Sequence, residues 1–168
     1  EDPATGAASL DTAITGLEQK LAENPADEQG WVLLGSSYLA VDRPADAIKA
    51  YQRAIEQSQG RNLAARLGAA EAAITANPES LSGEAGQEIE AVLALDPGNP
   101  KALWYGGILA LSRGDTASAR ARWEALLGLD PPQEVQQIIA AQLAQLDPGR
   151  ATPQPADADP TTAIGIDI

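Results

Sequence analysis

The side chains that offer this chain a chemistry are few and of one kind. Eleven Lys and Arg stand against 24 Asp and Glu, a formal net charge of −13. Against that background Arg66 and Lys101 are cations that could clamp a carboxylate, a chain terminus included, through charge-assisted hydrogen bonds. Asn62 could pair with a partner's backbone, and Tyr105 is an aromatic candidate beside them. The alternative for Arg66 and Lys101 is ordinary solvated charge. There is no Cys and no His, which removes thiol nucleophiles, imidazole bases and most transition-metal sites. No G-x-x-x-x-G-K or G-x-S-x-G motif occurs, and the many carboxylates have solvating spacing. The expected chemistry is recognition rather than reaction, with no catalytic residue, metal or cofactor.

What must position these residues is a repeat. Trp31, Leu34, Gly35 and Tyr38, followed by Ala47, Tyr51 and Ala54, match the tetratricopeptide (TPR) pattern W-x2-L-G-x2-Y…A-x3-F…A, with Tyr51 in place of Phe. Leu67-Gly68 reads as a second Leu34-Gly35, and Gly107 as a third glycine in the same slot. Ala85, Ile89 and Val92, then Ala119, Trp123 and Leu126, repeat the second half of the pattern. Ala85 to Ala119 and Pro97 to Pro131 are each 34 residues, the TPR period. Ala47 to Ala85 is 38 residues, and the surplus is expected in a longer turn over 76–83, rich in Pro, Asn, Ser and Gly.

The predicted fold is all-α: a TPR helix-turn-helix solenoid of about three repeats, with a lead helix and a C-terminal capping helix. The lead helix covers 9–23, with Ser9 as N-cap and Leu10, Ile14, Leu17 and Leu21 on one face. The repeats are read as 27–41 with 44–58, 61–76 with 82–95, and 99–113 with 116–129. The capping helix covers 132–146 and carries Val135, Ile138, Ile139, Leu143 and Leu146. Residues 1–8 read as a linker, 9–146 as the TPR domain and 147–168 as a flexible Pro- and Asp-rich tail. Ile164, Ile166 and Ile168 make the end of that tail apolar, either as a disordered end or as a docking segment.

Gly35, Gly68 and Gly107 sit mid-helix, where Gly costs about 1 kcal/mol against Ala, so each is expected to admit a close helix approach within its own repeat. Ala47, Ala85 and Ala119 are expected to face them, and Tyr51 and Trp123 to fill the space between repeats. The first helix of each pair lines the concave face, where such arrays take peptides. Counting from each Leu-Gly slot, the peptide-binding residues are Gln29, Leu33, Ser36, Asn62, Arg66, Ala69, Lys101, Tyr105, Ile108 and Ile139. Val32, Leu39, Ala65, Ala73, Trp104, Leu111, Ile138 and Gln142 share those faces, Trp104 alternatively packing between repeats.

The acidic balance makes nucleic acid and anionic membrane surfaces poor partners. No run of 18 apolar residues is present. The chain opens at Glu1, consistent with a removed signal or anchor or with an excised domain.

The stretch from Leu21 through Pro25 to Trp31, Gly35 and Tyr38 resembles the TPR domain of bacterial cytochrome c maturation proteins of the CycH/CcmI type and the related NrfG group. Leu95-Asp-Pro97 through Trp104 to Gly107 resembles the same family, as does Ala119 to Leu127 followed by Pro131-Pro132. The resemblance covers about 9–146. It implies a periplasmic domain tethered to the inner membrane by an anchor absent from this chain. It also implies a partner, the C-terminal helix of an apocytochrome c, presented alongside haem ligation and thiol-reducing components. A Cys-free chain avoids mixed disulfides in that setting. The eukaryotic chaperone-binding clamp fits poorly: Val32 and Ser36 stand where it needs Lys and Asn, Tyr105 replaces an Arg, and Lys101 alone matches. A general scaffold of another bacterial envelope assembly is the alternative function.

Overall fold

A computed structural model describes residues 3–146, with 3–9 as backbone only. Its helices are α1 (Pro3–Glu23), α2 (Glu28–Ala40), α3 (Pro44–Gln57), α4 (Leu63–Ala76), α5 (Glu84–Leu95), α6 (Pro100–Ser112), α7 (Thr116–Leu127) and α8 (Gln133–Leu146). No strand occurs among the described residues. Each helix packs on the next along the chain, and α2 also touches α4, so the helices stack in series as a TPR solenoid does. No helix among the described residues is long and apolar enough to cross a membrane. The tail 147–168, with the docking reading of Ile164, Ile166 and Ile168, lies outside the described residues.

Two expected element boundaries need correction. The lead helix starts at Pro3, so most of the stretch read as linker is helical and Ser9 is not a cap. Proline is tolerated at a first helical position, and Ala4, Ala7 and Ala8 are the strongest helix formers. The longer turn of the second hairpin is not a plain loop. It folds as a 3-10 helix, Pro78–Ser82, with the Asn77 side chain accepting from the Glu79 N–H at 3.0 Å.

The first helix of every hairpin begins at the same kind of cap. Asp27, Asn62 and Asn99 each accept from the backbone N–H three residues on, at Gly30, Ala65 and Ala102, over 2.9, 2.9 and 3.1 Å. These caps set a common register. Gly35 stands eight residues after its cap and would drive a Cβ to 2.8 Å from the Tyr51 ring of α3. Gly107 stands eight after Asn99, where a Cβ would come within 2.1 Å of Trp123 Nε1 on α7. In the second hairpin that position is Ala70, which shares a buried cluster with Ala85 and Ile89 of α5. Gly35 to Tyr51 and Gly107 to Trp123 each span 16 residues, Ala70 to Ile89 spans 19, so the 3-10 turn absorbs three extra residues.

Gly68 therefore does not repeat Gly35. It stands six residues after Asn62, and its missing Cβ would lie 2.3 Å from the Tyr51 ring of the preceding hairpin. One ring is thus held between glycines of two successive hairpins, with Tyr51 only 4% exposed. Burying an aromatic of this size removes roughly 150–250 Å² from water, worth several kcal/mol at about 25 cal/mol/Å².

The ends of the stack are closed differently. On α1, Ile14 and Leu21 are buried and Leu17 packs beside them, while Leu10 is exposed. The Tyr38 hydroxyl of α2 donates to the Glu18 carboxylate of α1, and the Arg43 guanidinium lies 4.5 Å over its ring. On α8, Val135, Ile139, Leu143 and Leu146 pack against the α6–α7 cluster around Leu103 and Trp123.

Gly107→Ala should destabilise the fold by about 1–3 kcal/mol in urea unfolding, because overpacking against Trp123 outweighs the better helix propensity. Gly16→Ala, with nothing within 4 Å of its Cβ, should instead stabilise by about 0.5–1 kcal/mol. Burial first, and then the Glu18 carboxylate, push the Tyr38 hydroxyl up to about 12 from its ordinary 10.0. A raised acid contributes stability that is complete below pH 10 and lost as pH climbs through 12. Melting temperature should therefore fall over that window, and less steeply for Tyr38→Phe.

Candidate peptide-binding trough

The caps also fix which side of each first helix is left open. Five residues after them stand Val32, Leu67 and Trp104, and all three line one continuous trough along α2, α4, α6 and α8. The trough has two chambers. The first, about 440 Å³, is formed by Val32, Ser36 and Leu39 of α2 and by Ala64, Leu67 and Gly68 of α4, with Tyr51 at its floor. The second, about 360 Å³, is formed by Trp104 and Tyr105 of α6, Leu126 of α7, Pro131 and Pro132, and Val135 and Ile138 of α8. Glu71 and Lys101 border both chambers, so a charged pair forms the waist of an otherwise uncharged trough.

At that waist the Lys101 ammonium donates to Glu71 Oε2 at 3.0 Å and lies 2.8 Å from Oε1 as an ion pair. The Tyr105 hydroxyl donates to Glu71 Oε1 at 3.4 Å. Burial, followed by the Glu71 charge, holds both Tyr51 and Tyr105 above the ordinary phenol range. The two sequence-predicted residues Lys101 and Tyr105 are thus brought together, and what joins them is a carboxylate of the chain itself.

Ser36 also lines the trough, its hydroxyl turned back to the Leu33 carbonyl at 2.9 Å. The other expected contacts are placed elsewhere. Gln29 is exposed on the first turn of α2, and Leu33, 57% exposed, does not line either chamber. Asn62 is spent as the cap of α4, with its amide on Glu28 at 3.3 Å. Arg66 donates to the Gly60 carbonyl at 2.6 Å and pairs with Glu88 of α5, so it is no part of a trough clamp. Ala69 is buried and, with Ala73, floors a cleft of about 230 Å³ between α3 and α5 on the other side of α4. Ile108 packs into the α6–α8 cluster, and Ile139 is fully buried there, whereas its neighbour Ile138 is 48% exposed in the second chamber.

The misplacement on α4 has a single cause. Treating Leu67-Gly68 as the equivalent of Leu34-Gly35 shifts the count by two residues, which turns the expected face by about 200°. Ala65, Arg66 and Ala69 then come forward, and Ala64, Leu67 and Glu71 are missed. The capping side chains carried the missing signal, since Glu71 stands nine residues after Asn62 just as Ser36 stands nine after Asp27.

Comparison with known proteins agrees with this architecture. The chain is 30% identical over 163 residues to a cytochrome c-type biogenesis protein CycH of Bradyrhizobium diazoefficiens, covering 96% of this chain and 43% of that protein. It is 30% identical over 139 residues to the formate-dependent nitrite reductase complex subunit NrfG of Escherichia coli O157:H7, covering 79% of this chain and 69% of NrfG. The crystal structure of MamA superposes with a TM-score of 0.68 at 18% identity, covering 84% of each chain, a likeness of fold. The chain spans less than half the length of the CycH proteins it matches. Because residues 2–137 match the family described as the cytochrome c-type biogenesis protein H TPR domain, the chain belongs to that family.

Proposed function

We propose that this chain is the peptide-holding module of a c-type cytochrome maturation protein, binding the C-terminal helix of an apocytochrome c in its trough and presenting it for haem ligation. The observation that carries the reading is the trough itself: two apolar chambers in line on the first helices of the stack, open along one side. An amphipathic helix laid in such a groove buries residues spaced three and four apart. Membership of the cytochrome c-type biogenesis family supplies the pathway. The reading places the domain in the periplasm, tethered to the inner membrane through a segment outside this chain, beside haem ligation and thiol-reducing components. The absence of Cys suits a chain that holds a thiol-bearing client.

Of the three tryptophans, Trp104 lies within the second chamber, Trp31 lines neither chamber and Trp123 is buried, so a change in tryptophan emission on adding peptide reports occupancy. A peptide from the C-terminal helix of an apocytochrome c should titrate that signal to saturation. No saturable binding up to about 1 mM, roughly −4 kcal/mol, would overturn the proposal. Ile138→Asp should weaken binding by about tenfold or more with an unchanged melting temperature, because Ile138 lines the chamber without entering the core. Ile139→Asp should unfold the C-terminal hairpin instead.

A further inference from the structure

We infer that Glu71 selects the charge of the visiting helix, so that the trough takes an amphipathic segment whose apolar face carries a Lys or Arg at its middle. The inference rests on the trough being the peptide site, and adds to it the residue that reads the partner.

The lining alternates apolar, charged, apolar, and among the described residues its charged groups are Glu71 and Lys101. Arg66, the second cation expected beside them, is engaged by Glu88 and Gly60 away from the trough. Among the described residues Lys101 is therefore the cation of the trough, and its charge is already matched by Glu71. An arriving carboxylate would meet a neutralised ammonium within a chain of net charge −13. An arriving ammonium or guanidinium meets the same pair from its acidic side, and the net charge of −13 favours it. A carboxylate offers about four acceptor positions, and Glu71 uses one on Oε2, for Lys101, and one on Oε1, for Tyr105. Its side chain is 26% exposed, so Oε2 can accept a further charged donor without losing Lys101. A helix seated on the apolar chambers to either side would cover that bond from water, which strengthens it relative to a solvated surface pair.

The probe is a designed amphipathic peptide of about 20 residues, roughly 30 Å as a helix, made with Lys, Gln or Glu at the centre of its apolar face. Binding is read from tryptophan emission. On the unmodified chain the Lys peptide should bind about tenfold or more tighter than the Glu peptide, with Gln between them. Raising salt from about 50 mM to about 500 mM should erode the Lys advantage and spare the Gln peptide. Glu71→Gln should bring the Lys and Gln peptides within about twofold of each other, and Lys101→Gln should tighten the Lys peptide by removing its competitor. Equal or tighter binding of the Glu peptide overturns the inference, as does a Lys preference that is indifferent to salt or survives in Glu71→Gln. Failure of the trough reading looks different: none of the three peptides binds, and the inference falls with it.

Discussion

The ring of Tyr51 has to share one slot with two backbones. Gly35 of α2 presses on it within its own hairpin and Gly68 of α4 presses on it from the next, and at neither position does a Cβ fit. That double contact fixes the separation and the phase of two successive hairpins at once. The helices forgo about 1 kcal/mol of propensity at each mid-helix glycine, and recover it by letting a large aromatic fill the junction without a void. Trp123 against Gly107 does the same for the third hairpin, but from one side only, and the capping helix α8 completes the packing there through Ile139.

The phase imposed at Tyr51 decides what the trough contains. With Gly68 turned onto that ring, Leu67 and Glu71 line the trough while Ala65 and Ala69 do not, and Arg66 is engaged with α5. The same rotation puts Glu71 within reach of Lys101 and Tyr105 on α6, so a carboxylate and an ammonium from adjacent hairpins meet between two apolar chambers. A rotation of one helix thus converts what would have been a cationic patch into a neutral, polarised waist. The family to which the chain belongs gives such a trough a setting in c-type cytochrome assembly.

The extra residues of the second hairpin are accommodated without disturbing this arrangement. The 3-10 helix Pro78–Ser82 carries them at the far end of α4, where Asn77 caps it, and α5 still returns to pack Ile89 on Ala70. On the opposite face α3 and α5 line a cleft over Ala69 and Ala73.

By itself the sequence determined the helices, their order and the solenoid. The TPR pattern around Trp31, the Pro at helix starts and the Asp and Asn caps are local signals, each acting within a few residues of itself. It also determined the lack of thiol and imidazole chemistry and the acidity of the chain, which are matters of composition. Only the tertiary structure decided which way α4 faces. Gly35 and Gly68 look alike in sequence because both follow a Leu, yet one notches its own hairpin and the other notches its neighbour. A glycine signals that something comes close and does not say from where. For the same reason Lys101 was legible as a trough residue while its partner Glu71 was not: an ion pair 30 residues apart in the chain exists only once the junction at Tyr51 has set the rotation of α4 against α6.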